Sequence, residues 1–480
     1  MVAAANTRYA VTGVLAAGAA ASALFAGAAL GSAPKANASC ASFFGIGNSA
    51  DCSSTPLSIA IAVGSGATAH ASGLFGGAFA LGTNAAATTG DAFTFATAAG
   101  NGSVATANGL FGIATQLGPN GAAITQGSGI LGNLGVNIAL NVTPLNSAAN
   151  GSTVTAGGAG GGGNIALNLF GRATAADSMN VTSHGLFNIA TNIGGHDNLI
   201  ESGDAATSSI INLATNLFGS NNTVSAQGGI WNWATNILGD TNTVATVGSL
   251  VNTATNIFGS NNTVATTGGY ANWGRNILGN GNTITITGGY ANAVRNLLGS
   301  GNTVTTNGGN GNTALNWFGT GNAVTITGGI YNTAANLLGG TGNTLESLGG
   351  YQNAVYNLVG SNNTLTVGGA GSNYNLTLNG LSNNNNVSAG GTGGNLTAGF
   401  NVLGGSNTVT AGPGPLALAG TVFANGQTVT KAGPGIAINN FRIGGARVPA
   451  GSSHKAPTAK PGDTGKKASK SGTGGSKRAR

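Results

Sequence analysis

The chain has 480 residues, of which 88 are glycine, 41% are hydrophobic and only 5% are charged. So few charges argue against an ordinary enzyme, while this many apolar residues argue against a disordered chain. The net charge of +7 is unevenly distributed, because residues 442–480 contain ten Lys and Arg against the single acid Asp463. The rest of the chain carries a slight negative excess, so a nearly neutral body is followed by a cationic end.

Residues 1–38 have the features of a secretory signal peptide. A lone Arg8 precedes a run rich in Ala, Gly and Leu from Val11 to Leu30, and small residues fill positions 36–38 before the expected cleavage site. The alternative is a retained membrane anchor, since about 20 apolar residues can span a bilayer. Either way the sequence predicts a secreted protein, located in the cell envelope or outside the cell.

Cys40 and Cys52 are the only cysteines, and they follow the predicted cleavage site closely. In an exported chain such a pair favours a disulfide, which would hold an N-terminal cap at residues 39–57. A loop this short should contribute about 3 kcal/mol on the chain-entropy model. Free thiols or a metal-binding pair are less favoured, because no histidine or carboxylate cluster accompanies the two cysteines.

Residues 58–126 repeat with a period of 18, visible at Gly64, Gly82, Gly100 and Gly118. Segments such as 58–64 and 67–71 resemble the β-roll repeats of trimeric autotransporter adhesin heads, which implies a stack of short strands. Between residues 127 and 209 the spacing loosens, but the phrase Asn-Ile-Ala-x-Asn persists at 137–141, 164–168 and 188–192. We therefore expect irregular rungs of one continuous solenoid there.

Residues 210–367 repeat with a period of 20, and a repeat of this length indicates a solenoid. Glycine and asparagine at short fixed intervals disfavour helix, whereas β-branched runs such as Thr283–Thr287 suit strands. Each repeat divides into two strand-and-turn halves. The sequence thus predicts an all-β fold, a β-solenoid (β-helix) of 18- to 20-residue rungs with two short strands each.

Stacked rungs place each residue on its equivalents about 4.8 Å away, so columns of side chains acquire a chemistry of their own. Strand alternation points three columns inward: small residues from Ala214, asparagines from Asn216 and large residues from Phe218. An unpaired buried amide costs about 2 to 7 kcal/mol, which predicts a hydrogen-bonded asparagine ladder. The ladder residues are Asn216, Asn236, Asn256, Asn276, Asn296, Asn316 and Asn336.

Two further columns have separate predictions. The asparagines that start at Asn222 follow a closing glycine by three residues, so we expect them mainly to form turns, and their substitution should matter less. The other column lies between two columns that are expected to point inward, so strand alternation places its side chains outside. We expect it to form an exposed apolar stripe suited to self-association, unless the corners of the rungs bury it. It comprises Leu217, Ile237, Ile257, Ile277, Leu297, Trp317 and Leu337.

The repeat decays over residues 368–441, where three prolines favour a C-terminal cap. Residues 442–480 are predicted to be a disordered basic tail. Its expected partner is an anionic cell-wall polymer, lipid head groups or a glycosaminoglycan, whereas nucleic acid is not expected because stacking aromatics are missing. The alternative is a tail that only keeps the chain dispersed. The candidate polyanion-binding residues are Lys455, Lys460, Lys466, Lys467, Lys470, Lys477, Arg478 and Arg480.

Residues suited to catalysis are scarce in this sequence. Nucleotide-binding, serine-hydrolase and zinc-protease motifs do not occur, and the chain has only four histidines. His196, Asp197, Glu201 and Asp204 form one local cluster that could ligate a hard cation, but without a calcium-binding repeat a solvated loop is favoured. We therefore predict no catalytic residues, no cofactor, no metal and no enzymatic activity.

The 20-residue unit resembles curlin, the subunit of bacterial curli fibres, in its two strands and in Gly-x-x-Asn-x-Ala/Val at each turn, although it is shorter and lacks curlin's paired glutamines. The Ala-rich leader and the Gly/Asn density are similar to the Gly/Asn-rich repeat proteins of mycobacterial and related actinobacterial envelopes. That resemblance implies an exported surface protein.

These observations predict a secreted, non-enzymatic structural or adhesive rod of the cell envelope, attached through its basic tail. The first alternative is a functional amyloid fibre subunit, which identical stacked columns would favour. The second is an ice-binding solenoid, because Thr283 with Thr285 and Thr303 with Thr305 form Thr-x-Thr pairs on one face.

Overall fold

The computed structural model describes residues 39–127, 136–144, 151–158, 161–174, 178–204 and 209–444. These residues form strands and turns, and none of them is helical. The predicted signal peptide and the candidate polyanion-binding residues lie outside the described residues. Arg442 and Ile443, at the start of the predicted tail, lie in the last strand.

The prediction of a β-solenoid is confirmed, since the described residues form 41 strands that stack into two sheets over about 18 turns. Each rung contributes one strand to each sheet and has two corners between them. The first sheet contains β1 (Ser39–Phe43), β2 (Ile46–Gly47), β4 (Ile59–Val63), β6 (Gly77–Leu81), β8 (Phe95–Ala99), β10 (Ile113–Leu117), β12 (Ile138–Val142), β14 (Ile165–Leu169), β16 (Ile189–Ile193), β18 (Leu213–Leu217), β20 (Trp233–Leu238), β22 (Thr253–Phe258), β24 (Trp273–Leu278), β26 (Ala293–Leu298), β28 (Thr313–Asn316), β30 (Thr333–Asn336), β32 (Ala354–Asn357), β34 (Leu376–Gly380), β36 (Ala398–Val402), β38 (Ala417–Val422), β40 (Gly435–Ile438) and β41 (Phe441–Ile443).

The second sheet consists of parallel strands only. It contains β3 (Cys52–Ser54), β5 (Thr68–Ala71), β7 (Ala86–Thr89), β9 (Val104–Ala107), β11 (Ala122–Gln126), β13 (Thr153–Gly157), β15 (Asn180–Ser183), β17 (Leu199–Ser202), β19 (Thr223–Gln227), β21 (Thr243–Val247), β23 (Thr263–Thr267), β25 (Thr283–Thr287), β27 (Thr303–Asn307), β29 (Ala323–Thr327), β31 (Thr344–Leu348), β33 (Thr364–Val367), β35 (Asn386–Ala389), β37 (Thr408–Ala411) and β39 (Thr428–Lys431).

Strand register follows the repeat periods. Ile59 pairs with Gly77 in the 18-residue part, and Trp233 pairs with Thr253 in the 20-residue part. The irregular segment continues the same stack, because β12 pairs with β10 and β14 in parallel. Equivalent residues of successive rungs therefore lie above one another along the described stack.

The interior is narrow, and small residues on the first sheet face β-branched residues on the second. Ala254 and Val294 are fully buried on the first sheet, as are Val264 and Ile284 on the second. At Gly274 an added Cβ would lie 3.3 Å from the Thr266 methyl group, so the two sheets approach too closely there for a large residue on both sides. Close packing of this kind explains the small column of the first sheet.

Both ends of the first sheet are closed by antiparallel strands in an otherwise parallel stack. At the N-terminal end β1 pairs with β4, and at the C-terminal end β41 pairs with β40. The predicted disulfide is confirmed: Cys40 on β1 is bonded to Cys52 on β3, with Cα atoms 5.6 Å apart. It joins the capping strand of the first sheet to the first strand of the second.

Two cations lie at the C-terminal end of the stack, one on each sheet. Lys431 occupies an inward, buried position on β39, and Arg442 on β41 donates a hydrogen bond of 3.0 Å from Nη1 to the carbonyl of Thr430. Inward-pointing charges and covered strands are common means of preventing an edge from pairing with another chain. The C-terminal end of the stack is therefore protected.

The large column from Phe218 does not point inward, and that expectation is wrong. Phe218 is 55% exposed and Leu338 is 58% exposed. Each residue of the column lies at the last position of its strand or within two residues after it, where the chain enters the corner. Phe218 itself adopts a left-handed backbone with φ of 58°, which the other members of the column do not share. Strand alternation no longer applies, so the side chain turns outward.

Candidate functional site

A single chain of buried side-chain amides runs along the first sheet. In each rung from Asn168 to Asn401 the asparagine Nδ2 donates to the Oδ1 of the equivalent asparagine in the preceding rung, over distances of 2.7 to 2.9 Å. The hydroxyl of Thr421 donates to Asn401 at the C-terminal end. This asparagine ladder comprises Asn141, Asn168, Asn192, Asn216, Asn236, Asn256, Asn276, Asn296, Asn316, Asn336, Asn357, Asn379 and Asn401.

Two more asparagine columns are equally buried, at the corners that precede the strands of each sheet. In the column of Asn222, the backbone N–H of Asn282 donates to Oδ1 of Asn262 at 2.9 Å, while Nδ2 of Asn262 donates to the carbonyl of Gly279 at 2.9 Å. In the column of Asn212, the N–H of Asn292 donates to Oδ1 of Asn272 at 3.0 Å. The expected division between a buried ladder and a column that mainly forms turns is therefore not found.

The candidate cation-binding residues do not converge. Asp197 accepts hydrogen bonds of 2.7 Å from the backbone N–H and the hydroxyl of Thr174, and its carboxylate lies 2.9 Å from Nδ1 of His196. Glu201 instead accepts a bond of 2.8 Å from Gln227. Among the described residues no group of three or more His, Cys, Asp or Glu is placed to hold a metal ion.

The carboxyl of Asp197 is held in its charged form. Burial by itself would raise its pKa, but the two hydrogen bonds from Thr174 and the neighbouring His196 outweigh that effect and lower the pKa. Asp197 thus connects two successive rungs rather than presenting a free ligand.

The corner that follows the first-sheet strand of each rung bears a continuous apolar strip. The column from Leu217 is half-buried except at Trp317, which is 43% exposed, and the more exposed column from Phe218 lies beside it. We call the columns from Leu217 and from Phe218 the apolar corner. The column from Phe218 comprises Phe218, Leu238, Phe258, Leu278, Leu298, Phe318 and Leu338.

The outer face of the second sheet carries threonines in register. Thr283 pairs with Thr303 and Thr285 pairs with Thr305, on adjacent parallel strands. Ala265, Ala323 and Glu346 interrupt the array. We call this surface the threonine face; its other members include Thr263, Thr267, Thr287, Thr325 and Thr327.

A third surface was not identified from the sequence. The outer face of β20, β24 and β26 and the corner beside it carry exposed aromatic rings and two arginines, and the rings of Tyr270 and Tyr290 stack at 5.0 Å. Counting residues in each 20-residue unit would have aligned the arginines, because they occupy the same position of consecutive repeats. We call this surface the aromatic–arginine patch; it comprises Trp231, Trp233, Tyr270, Trp273, Arg275, Tyr290 and Arg295.

Comparison with protein-family models, with curated proteins and with solved structures finds no match for this chain. Within the described ranges, no helix is long and apolar enough to cross a membrane.

Proposed function

We propose that the protein is a secreted, non-enzymatic rod of the cell envelope with a structural or adhesive role, attached through its basic tail. The observation that carries the proposal is the repetition of the solenoid. Several outward columns keep one class of side chain over successive rungs, as the threonines of the threonine face and the apolar residues of the apolar corner do, so much of the surface presents one kind of group many times. Catalysis needs unlike groups gathered at one point, whereas adhesion and scaffolding use one kind of group repeated many times.

Export is supported by the disulfide between Cys40 and Cys52, since such bonds persist in oxidising compartments. The N-terminal segment, with its signal-peptide pattern, points the same way. Attachment through the tail is supported by charge: residues 442–480 hold ten of the sixteen basic residues in the chain. A cationic segment would adhere to a polyanionic wall polymer or lipid surface with an affinity that falls as salt rises.

Deletion of residues 455–480 tests the attachment. The truncated protein should appear in the medium while its far-ultraviolet circular dichroism spectrum stays unchanged. A matched control keeps the tail length and replaces its lysines and arginines from Lys455 onward with glutamine, and it should be released to the same extent. Equal retention of wild type and both variants on cells, at low and at high salt, would show that the tail is not the anchor.

Ice binding is the second candidate, and the threonine face is the observation that favours it. Hydroxyl and methyl groups repeat about 4.8 Å apart over three successive rungs at Thr285, Thr305 and Thr325, and they occupy every second residue along β25 and the first two outward positions of β27. A regular array of this kind can order water in a lattice. Thermal hysteresis of the purified protein tests it, with Thr285→Lys as the variant that should abolish the effect; no hysteresis in the wild type would remove this candidate.

A further inference from the structure

We propose that the aromatic–arginine patch is a binding site for an acidic polysaccharide, separate from the basic tail. The patch lies on the outer face of the first sheet over four rungs, where Trp233 pairs with Thr253, Thr253 with Trp273, and Arg275 with Arg295. This site would bind its ligand whether or not the tail is the attachment device.

The arginines are the first indication of a ligand. Arg275 and Arg295 are exposed and directly opposite each other on adjacent strands, about 4.8 Å apart along the stack. Like charges in this arrangement repel each other and destabilise the sheet. In the described part of the chain neither guanidinium has an ion pair or a hydrogen bond, and the outward positions of β20 to β28 include no carboxylate. An anion that contacts both guanidinium groups would remove the repulsion and form charge-assisted hydrogen bonds.

The aromatic rings indicate what carries the anion. Trp233 and Trp273 are 51% and 53% exposed and stand two rungs apart, with the smaller Thr253 between them. Exposed indole and phenol rings on a flat face can stack against the apolar faces of sugar rings while their polar edges stay hydrated. A linear polymer lying along the stack would cross these rings and the two arginines.

Charge distinguishes this ligand from the other candidates. Single-stranded nucleic acid also stacks on aromatic rings, but it requires a basic groove that follows each phosphate, and this patch offers two cations on an open face. A second copy of the chain docked here would bring four guanidinium groups into one interface, which is unfavourable without carboxylates. A sugar polymer with spaced carboxylate or sulfate groups fits both the exposed aromatic rings and the two arginines.

Binding of the full-length protein to polygalacturonate and to heparin tests the proposal, with dextran as the neutral polymer and single-stranded DNA as the competing polyanion. The double variant Arg275→Gln/Arg295→Gln should weaken binding to one of the acidic polysaccharides about tenfold. Lys466→Gln/Lys467→Gln removes the same charge from the tail and should weaken binding much less. Trp273→Ala, which leaves the charge unchanged, should also weaken binding.

Three outcomes would overturn the proposal. Equal losses for the arginine pair and the lysine pair would mean that only net charge matters. Unchanged binding in Trp273→Ala, with an unchanged melting temperature, would remove the aromatic platform. Tighter binding of single-stranded DNA than of both polysaccharides, lost in the same variants, would assign the patch to nucleic acid. Release of the tail-deleted protein from cells is a separate measurement, so failure of the patch and failure of the tail are distinguishable.

Discussion

Asn276 makes both kinds of bond that a buried amide needs. Its Nδ2 donates a hydrogen bond of 2.7 Å to Oδ1 of Asn256. Its Oδ1 accepts hydrogen bonds of 2.9 Å from Nδ2 of Asn296 and 3.2 Å from Nδ2 of Asn282. Asn276→Leu removes all three contacts and leaves polar atoms of the neighbours unpaired in a dry interior. We expect a loss of about 1 to 3 kcal/mol in the free energy of unfolding, measured by denaturant titration.

Asn262 and Asn261 offer a matched test of the corner asparagines. Asn262 is buried and donates to Gly279, whereas Asn261 is exposed, although both precede β23. Asn262→Asp buries a charge and loses the donor, so we expect a loss similar to that of Asn276→Leu. Asn261→Asp should change stability by less than about 0.5 kcal/mol, because both residues tolerate its left-handed backbone. Equal effects at the two positions would contradict the burial of this column.

Within one corner, two glycines are required to very different extents. Gly279 has φ of 126°, and an added Cβ would lie 1.8 Å from the carbonyl oxygen of Gly299 in the next rung. Gly281 has φ of 63° with its nearest atom 4.0 Å away, and asparagine occupies the equivalent position in other rungs. Gly279→Ala should therefore cost at least about 2 kcal/mol, while Gly281→Asn should be nearly neutral. Thermal unfolding of both variants checks this, and a neutral Gly279→Ala would show that the rungs can separate locally.

The strands and their register were predictable because strand alternation and a fixed period are local signals. The corners were not. Left-handed backbone is expected of glycine and asparagine, yet Phe218 and Trp231 adopt it, so no sequence rule places their side chains outside. Burial of the corner asparagines was also missed. Their preference for turns is visible in the sequence, but their hydrogen bond to a backbone carbonyl of the next rung depends on how the rungs stack.

The apolar corner is the element most suited to contact between two copies. Exposed strips of this continuity usually mark an interface. Phe258→Asp combined with Leu278→Asp should shift the protein toward monomer in analytical ultracentrifugation. The matched control, Thr285→Asp combined with Thr305→Asp, places the same two charges on adjacent rungs of the threonine face and should leave association unchanged. An unchanged sedimentation profile for both variants at high protein concentration would contradict an interface at this corner.

On the scale of the whole stack, the capping strands bear on the fibre alternative. An uncovered parallel edge is a template for another chain, and β1 and β41 cover the two edges of the first sheet. Deleting residues 441–443 should permit end-to-end association, measured as amyloid-dye binding and elongated particles that grow with protein concentration. Arg442→Gln keeps the strand and should remain dispersed. Spontaneous, seedable fibres of the intact chain would instead support a fibre subunit.

The asparagine ladder also gives the stack an electrical polarity. From Asn168 to Asn401 each amide in it directs an N–H group toward the N-terminal end and its carbonyl toward the C-terminal end. Dipoles aligned head to tail add, as they do in a helix, so the N-terminal end carries partial positive charge and the C-terminal end partial negative charge. Lys431 and Arg442 lie at that C-terminal end. Their positive charges are thus placed where the aligned amides attract cations most strongly.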